Sequence, residues 1–295
     1  MNCMASEYER GKQGVERDQH ARLVQREAQI DRDMGVWSAR TKELIKSGDS
    51  DALKVYGSYV NSVMQGDFDH IDLFVDAAKV SIDVGTNHGQ YAMKLAAISK
   101  GCLCVEPVKP LSFVGEILPD NCIFKNVAAG KSRDTSVLRI PLRNGVPEYA
   151  LSTMAIDNRL PGYQCAEQIT DVRTVDELIR ETFPDEKVGY IKIDVEGLED
   201  EVIEGCVATL AKHRPNLQIE LHGNEGIVGM CEYLRGYDYR GIFFFKDRLL
   251  DASQFDADVH RAIENEWSIR ASKGLEYDLS MFVADFFFVP VRQRA

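Results

Sequence analysis

From Ile71 onward, short apolar runs alternate with stretches in which apolar residues recur every three or four positions. The first pattern predicts buried strands, and the second predicts amphipathic helices. The predicted strands are Val80–Val84, Cys102–Val105, Cys122–Ala128, Val188–Val195, Asn216–Leu221, Tyr239–Phe245 and Phe282–Val289. Strands that alternate with helices are typical of a doubly wound, mostly parallel α/β sheet covered on both faces. We therefore expect seven strands, the last of them antiparallel.

Four segments add to this alternation. Ser136–Pro141 is an apolar run that predicts an added strand or hairpin. Asn144–Gln168 contains glycines and prolines and predicts a loop. Leu198–Lys212 predicts one helix after the fourth strand. The polar stretch Asp251–Leu279 predicts an insertion with a helix before the last strand.

The region before residue 71 has a different pattern. It is polar and rich in both signs of charge, with sparse apolar stripes at helical spacing in His20–Met34 and Ser50–Met64. We expect a helical N-terminal extension over residues 1–70 and one α/β domain over residues 71–295. The second helix is expected to pack against the domain. The first is a solvated extension, a cap over the binding site or an arm that joins copies into a homo-oligomer.

Composition excludes several classes of protein. A net charge of −12 with scattered lysines and arginines argues against a nucleic-acid surface. The seven cysteines are dispersed and form no Cys-x-x-Cys motif, so we expect no disulfide framework, no cysteine zinc site and a reducing, cytoplasmic location. We expect neither a secretory signal nor a membrane span, because no apolar run is long enough. A soluble enzyme is the default interpretation.

The first strand leads into a glycine turn that suits a nucleotide. Val80–Val84 carries Asp83 and is followed by Gly85-Thr86-Asn87-His88-Gly89 and a helix. Glycine allows positive φ and close approach of a ligand, and the helix start offers unpaired N–H groups. The spacing Asp83-x-Gly85-x-x-x-Gly89 is neither the dinucleotide fingerprint nor a phosphate loop with lysine. By itself it is equally typical of a simple strand–helix corner.

Polar residues at the other strand ends favour a binding site. Glu106-Pro107 ends the second strand, about 20 residues after the turn, where an acid binds ribose hydroxyls in doubly wound folds; the alternative is a solvated charge. The third strand ends near Asn126, Val127 and Ala128, the fourth in Asp194-Val195-Glu196-Gly197, and the fifth in Glu220-Leu221-His222. Carboxyl ends of parallel strands share one edge of a sheet, so we expect one pocket there.

Five segments together resemble one family. They are Ser81–Gly89 (SIDVGTNHG), Val105–Pro107, Arg173–Leu178 (RTVDEL), Gly189–Gly205 (GYIKIDVEGLEDEVIEG) and Pro215–Glu220 (PNLQIE). The chain is similar over about residues 78–222 to the FkbM-like methyltransferases, class I enzymes with a Rossmann-like fold that use S-adenosylmethionine (SAM) and release S-adenosylhomocysteine (SAH). The resemblance makes residues 71–295 a SAM-dependent methyltransferase domain.

The resemblance also implies residue roles. Asp83, Gly85, Asn87 and Gly89 would form the methionine pocket, Glu106 with Pro107 would hold the ribose, Asn126, Val127 and Ala128 would border the adenine, and Asp194 would lie beside the amine and the sulfonium. Thr86 and His88 replace the family's alanine and its apolar residue, which changes local contacts.

A general base must accept the proton of the methylated hydroxyl. The candidates are Asp194, Glu196, Glu220 and His222, with His88 less favoured. His222 is equally consistent with a strand-end histidine held by local hydrogen bonds, and Glu196 with the start of a helix. No metal is expected, although the three carboxylates with His222 form an alternative Mg²⁺ site.

The resemblance implies an O-methyltransferase that acts on a sugar hydroxyl, in a glycan, a glycolipid or a glycosylated metabolite. Alternatives are a polyketide-type or other small-metabolite hydroxyl, an NAD-dependent oxidoreductase on a similar fold, and a non-catalytic subunit. Asn144–Gln168 and Asp251–Leu279 would shape the acceptor site. Three aromatic residues, Tyr149, Tyr163 and Trp267, would stack on a sugar or serve only in packing.

Overall fold

The computed structural model describes residues 21–155, 164–221, 223–245, 248–273 and 283–291. The helices are α1 (21–36), α2 (Ala39–Ser47), α3 (Ser50–Gln65), α4 (Gln90–Ile98), α5 (Val114–Ile117), α6 (Val175–Thr182), α7 (Glu199–Glu204), α8 (Val207–His213), α9 (Gly223–Arg235) and α10 (Ala257–Ser272). The strands are β1 (Val80–Val84), β2 (Gly101–Val105), β3 (Cys122–Lys125), β4 (Ala128–Ala129), β5 (Asp134–Arg143), β6 (Val146–Pro147), β7 (Gln164–Arg173), β8 (Val188–Ile193), β9 (Asn216–Glu220), β10 (Tyr239–Phe245), β11 (Arg248–Asp251) and β12 (Asp285–Pro290).

The main sheet is mixed and has the order β11-β10-β12-β9-β8-β1-β2-β3. The five strands from β9 to β3 are parallel, and β12 runs antiparallel to both of its neighbours. The expected count of seven strands was wrong, because the described residues contain an eighth strand, β11, that pairs with β10 at the sheet edge. Its sequence, RLLD, has only two apolar residues and is too short for a strand signal.

A second sheet, β4-β7-β5-β6, was only partly predicted. The run Ser136–Pro141 lies within β5, as expected. Gln164–Gln168 was assigned to a loop but begins β7, which pairs with β5 along its length. Most side chains of β7 face solvent, so its polar sequence carries no strand pattern. Ala128 was assigned to the third strand but belongs to β4 in this second sheet.

The helix predicted over Leu198–Lys212 is two helices, α7 and α8. They are separated at Gly205, where a side chain would overlap the carbonyl oxygen of Gly130. This glycine therefore permits close packing of the helix break against the loop after β4. The glycine was visible in the sequence, but the neighbour that requires it was not.

Both faces of the main sheet are buried. One face packs Ile82, Ile191 and Leu217, among others, against helices α6 to α9. The other face packs against α3, α4 and α5 in a core that also contains Trp37 and Tyr59. Strands β1, β2 and β8 are buried at every position, as expected for strands covered on both faces.

The N-terminal helices are tied to α4 by buried polar contacts. The Trp37 indole N–H donates to the Met93 carbonyl at 3.0 Å. The Lys94 ammonium is 1% exposed and lies 3.4 Å from the Asp33 carboxylate, which also accepts from the Tyr59 hydroxyl at 2.6 Å. Residues 33–65 therefore form part of the main core and are not a solvated tail. No helix among the described residues is long and apolar enough to cross a membrane.

Candidate active site

A cleft that is partly open to solvent lies at the carboxyl ends of β1, β2 and β8. The second sheet and the segment after β6 form its opposite wall. The residues that line it are Val84, Gly85, Asn87, Val105, Glu106, Pro107, Ala128, Ala129, Leu138, Tyr149, Ala150, Ser152, Met154, Asp194, Val195 and Glu196. The structure thus brings together residues from four of the five strand ends that the sequence singled out.

Gly85 is required by a contact within the chain. Its φ is +85°, and a side chain there would overlap the Asp194 carbonyl oxygen. The positive φ agrees with one of the two reasons expected from the sequence. The other was the approach of a ligand, whereas here the backbone after β8 makes the close approach. Gly89, also at φ +85°, is the N-cap of α4, and a side chain at this position would crowd Val114 and Leu118. It does not line the cleft.

Asp83 lies beneath the turn, not on the cleft wall. Its side chain is buried, and neither carboxylate oxygen has a hydrogen-bond partner in the described part of the chain. Burial raises the pKa of Asp83 to about 7, against the opposing effect of the Lys192 charge. Thr86, the residue after Gly85, donates its hydroxyl to the Asp83 carbonyl at 2.9 Å and so helps to hold the turn.

Glu106 joins the turn to the loop after β2. One carboxylate oxygen accepts from the Val108 N–H at 2.8 Å, and the other from the Asn87 N–H at 2.9 Å. Burial raises the pKa of Glu106 to about 7, although these two N–H groups act to lower it. Asn87 itself has φ +48°, and its buried Oδ1 has no hydrogen-bond partner among the described residues.

Of the three residues expected to border the adenine, only Ala128 lines the cleft. The Asn126 amide donates to the carbonyls of Glu106 and Val108, at 2.7 and 3.3 Å, so this side chain supports the loop from behind. Val127 packs against the core of the sheet. Ala128 lines the cleft and is joined there by Ala129.

The second sheet is fixed to this region by a few polar contacts. Gln168 on β7 donates its side-chain amide to the Pro107 carbonyl at 2.7 Å and accepts from the Lys109 N–H at 2.9 Å. Pro107 itself lines the cleft. Tyr149, Ala150, Ser152 and Met154 lie within Asn144–Gln168, the segment expected to shape the acceptor site, whereas Ala129 and Leu138 were not expected at the cleft.

Carboxylates converge at the end of the cleft near β8. Asp194 and Glu196 line the cleft, whereas Glu220 and Asp285 approach from the two strands beyond β8. Burial raises the pKa of Asp194 well above its ordinary value; Lys192 opposes this effect and Glu220 adds to it. Lys192 lies in the segment GYIKIDVEG that carries the resemblance, but the sequence analysis gave it no role. Asp285 was not identified, because an acid before an apolar run has no motif of its own.

Glu196 has a strained backbone. Its φ is +57°, a region that disfavours residues other than glycine, asparagine and aspartate. The Thr153 hydroxyl donates to its carbonyl at 2.7 Å, so the second sheet holds this turn. The alternative in which Glu196 starts the next helix is not what the structure has. Glu199 takes that position and accepts from the N–H groups of Val195 and Gly197, at 3.3 and 3.0 Å.

The remaining predictions concern histidines and metal. His222 lies outside the described residues, as does Tyr163. His88 is half-buried and not part of the cleft lining, and burial lowers the pKa of its imidazole, with the Lys54 charge adding to the effect. Within the described ranges, no group of three or more His, Cys, Asp or Glu side chains is arranged to hold a metal ion.

The segment RTVDEL is structural. Thr174 caps α6 by accepting from the Glu177 N–H at 3.1 Å. Asp176 accepts from the N–H groups of Ala208 and Thr209 at the start of α8, at 2.8 and 2.9 Å. These capping bonds fix two helices behind the sheet, at a distance from the cleft lining.

Comparison with known proteins gives one family. A comparison with curated proteins found no match. A solved structure described as methyltransferase FkbM from Methylobacillus flagellatus KT is 13% identical, with a TM-score of 0.41; the alignment covers 91% of this chain and 60% of that one. The family model described as the methyltransferase FkbM domain matches residues 83–240, more than half of the chain, and includes the end of β1, all of β2 and the Asp194 strand end. The chain belongs to the FkbM methyltransferase family.

Proposed function

We propose that this protein is a SAM-dependent O-methyltransferase whose cofactor binds in the cleft. The observation that carries the proposal is a set of unsatisfied acceptors. Asn87 Oδ1 and Ser152 Oγ belong to cleft residues, are buried, and have no partner among the described residues. Buried polar atoms are nearly always paired, so these atoms favour a ligand with hydrogen-bond donors. SAM has an ammonium group, two ribose hydroxyls and an adenine amine to donate.

The cleft residues fit the parts of this cofactor. Glu106 would hold the ribose hydroxyls, because each carboxylate oxygen can accept further hydrogen bonds besides the one from the backbone. Asn87 and the glycine turn would face the amino-acid end. Ala128 and Ala129 have small side chains that leave space for a flat base. Asp194 would lie near the sulfonium, whose positive charge a carboxylate stabilises.

When bound, SAM would supply an electrophilic methyl group, which bonds to the acceptor oxygen while the electron pair of the S–C bond remains on sulfur. The chain itself must orient the acceptor hydroxyl and take up its proton. Asp194 and Glu196 are the described cleft carboxylates that can do so, with Glu220 beside them. His222 remains a candidate from the sequence alone.

A sugar hydroxyl is our proposed acceptor. Tyr149 lines the cleft and offers an aromatic face for a sugar ring. Trp267 on α10 is 37% exposed but is not among the lining residues. The second candidate is a hydroxyl of a small, polyketide-type metabolite. Incubation with methyl-labelled SAM and separate panels of glycans and hydroxylated metabolites distinguishes the two by which panel gains label.

The proposal is tested by calorimetric titration with SAM, SAH and NAD in parallel. We expect SAM and SAH to bind and NAD not to bind. Binding of NAD alone would support the oxidoreductase alternative, and binding of none of the three would support a non-catalytic subunit.

Glu106→Gln provides a residue-specific test. It should weaken SAM and SAH alike, by about 5- to 100-fold, which corresponds to about 1–3 kcal/mol for a lost charged hydrogen-bond partner. Glu186→Gln is a matched control, because this carboxylate pairs with Lys100 at the opposite end of the strands. Unchanged affinity in Glu106→Gln would show that the ribose assignment is wrong.

A further inference from the structure

Lys192 is a buried cation next to the proposed base. It lies on β8, two residues before Asp194, and its side chain is 2% exposed. Its Nζ is 3.1 Å from Asp285 Oδ1, 3.6 Å from Asp194 Oδ2 and 3.9 Å from Glu220 Oε2. The ring centre of Tyr91 on α4 is 5.1 Å from the same atom. A lysine is almost never this deeply buried unless it is paired.

Strand register explains how the four charges meet. Successive side chains of a strand point to opposite faces, so Lys192 and Asp194 lie on the same face of β8. Gln218 on β9 pairs with Lys192, and Glu220 is two residues further along on the same face. Asp285 pairs with Glu220 from the antiparallel strand β12. One end of three adjacent strands therefore carries the whole group.

The group has more negative charge than a structural ion pair needs. One carboxylate is sufficient to pair a buried ammonium, but three meet this one, and the four side chains carry a net charge of −2 when all are ionised. The three acids remain 33%, 27% and 31% exposed, for Asp194, Glu220 and Asp285 in that order. The cation thus lies behind a layer of carboxylates, one of which lines the cleft.

The charges control one another. Burial acts to lower the pKa of Lys192, but the three carboxylates outweigh it, so the ammonium stays charged. Lys192 in turn opposes the rise in the pKa of Asp194 that burial and Glu220 cause. Four other titratable groups face the ammonium: Asp67 after α3, Asp83 on β1, Tyr91 on α4 and Tyr190 on β8. Without the lysine, Asp194 would face only like charges and neutral rings.

We propose that Lys192 is a positioning residue that gathers Asp194, Glu220 and Asp285 into one charged layer and so favours the ionised form of Asp194, the form that can accept the proton of the acceptor hydroxyl. This inference rests on the proposed function and deepens it. The proton moves from the acceptor oxygen to a carboxylate oxygen of Asp194, which becomes neutral. Among the carboxylate candidates for the base, Asp194 is the one that both lines the cleft and contacts the lysine.

The experiment compares SAM and SAH affinities by calorimetry from about pH 5 to about pH 9. The two ligands differ in the methyl group and the positive charge of the sulfonium. The affinity for SAM divided by the affinity for SAH therefore reports whether the carboxylates beside the sulfonium are ionised. In the wild type this ratio should rise with pH, with a midpoint set by the ionisation of Asp194 and its neighbours. Lys192→Met should move the midpoint upward by about one pH unit or more, because an opposite charge is lost. Lys192→Arg should leave it near the wild-type position.

Asp285→Asn is a second variant, in which the midpoint should shift in the opposite direction. It removes a like charge, so the midpoint should move to lower pH even if Lys192→Met does not fold. Lys100→Met, at a lysine located at the opposite end of the strands, should not shift the midpoint. A purely structural lysine would change both affinities equally and leave the midpoint in place. Wild-type binding with unshifted midpoints in Lys192→Met or Asp285→Asn would overturn this inference alone, whereas no wild-type binding of SAM or SAH would overturn the proposed function and the inference with it.

Discussion

Asp83→Asn should remove a large part of the pH dependence of stability of the unliganded protein. The Asp83 side chain is 1% exposed, and its two oxygens have no hydrogen-bond partner in the described residues. Burial raises its pKa to about 7, from an ordinary value of 3.8, although the Lys192 charge opposes the rise. The folded state therefore favours the protonated carboxyl, and ionisation at higher pH acts against folding.

The raised pKa of Asp83 determines both the direction and the size of the change in stability with pH. A carboxyl whose pKa is raised by folding binds its proton more tightly in the folded than in the unfolded chain, so stability falls as the pH rises from about 4 to about 7. A shift of about 3 pH units corresponds to about 4 kcal/mol at 1.36 kcal/mol per unit, and about 2–3 kcal/mol of it falls between pH 5 and pH 8. Asparagine has nearly the same shape and cannot ionise. As the pH rises from 5 to 8, the free energy of unfolding of the variant should therefore increase by about 2–3 kcal/mol relative to that of the wild type.

Urea unfolding at a series of pH values, followed by tryptophan fluorescence, measures this difference. Glu106, whose pKa burial also raises to about 7, titrates in both proteins, and the Asp83 charge adds to that rise. The Glu106 titration therefore moves to slightly lower pH in Asp83→Asn, which adds to the difference in the same direction. Asp120→Asn, at an exposed carboxylate before β3, is the control and should follow the wild-type curve. If Asp83→Asn and the wild type show the same pH dependence, Asp83 is solvated or paired in the folded protein and the reasoning fails.

Three further substitutions test the framework of the site, each by urea unfolding. Gly85→Ala should lower the free energy of unfolding by at least about 3 kcal/mol, since it combines positive φ with a clash against backbone. Gly48→Ala, at positive φ in open space, should lower it by about 1 kcal/mol. Equal losses in the two variants would contradict the clash. Lys94→Met should lower the free energy of unfolding by about 3 kcal/mol, because it leaves the buried Asp33 carboxylate without its cation. Lys54→Met, which breaks an exposed pair with Asp51, should lower it by less than about 1 kcal/mol. Similar losses in the two variants would mean that the buried pair does not stabilise the fold. Asp176→Ala should cost about 1–2 kcal/mol through the lost cap of α8 with SAM affinity unchanged, and a change in that affinity would contradict a structural role.

The parallel centre of the fold was predictable because burial on both faces leaves a strong apolar signal. Val80–Val84 is buried at every position, and so its bounds in the sequence and in the structure agree. The second sheet was only partly predictable, because Gln164–Arg173 alternates too little to distinguish a strand from a polar loop. Edge strand Arg248–Asp251 is stabilised by its pairing with β10, and pairing partners are not visible in a local window.

The site was predictable where a strand end carries chemistry. Asn87, Glu106 and Asp194 converge in the cleft because parallel strands share one edge. Residues that act through contacts distant in sequence were not predictable. Asp285 lies more than ninety positions after Lys192, and only the antiparallel insertion of β12 beside β9 brings the two together. The structural reason for Gly85 was equally hidden, since it depends on a carbonyl from another strand.

The contact between Gly85 and the Asp194 carbonyl has a consequence for how this enzyme family can diversify. The turn proposed to bind the cofactor and the strand that carries the proposed base are in direct contact, so neither can shift without displacing the other. We expect new acceptor preferences to arise in the outer wall, described residues 134–155 and 164–173, which contacts this region through side chains such as Thr153 and Gln168. Exchanging that wall between relatives, with the turn and the strand untouched, is the natural route to altered acceptor choice.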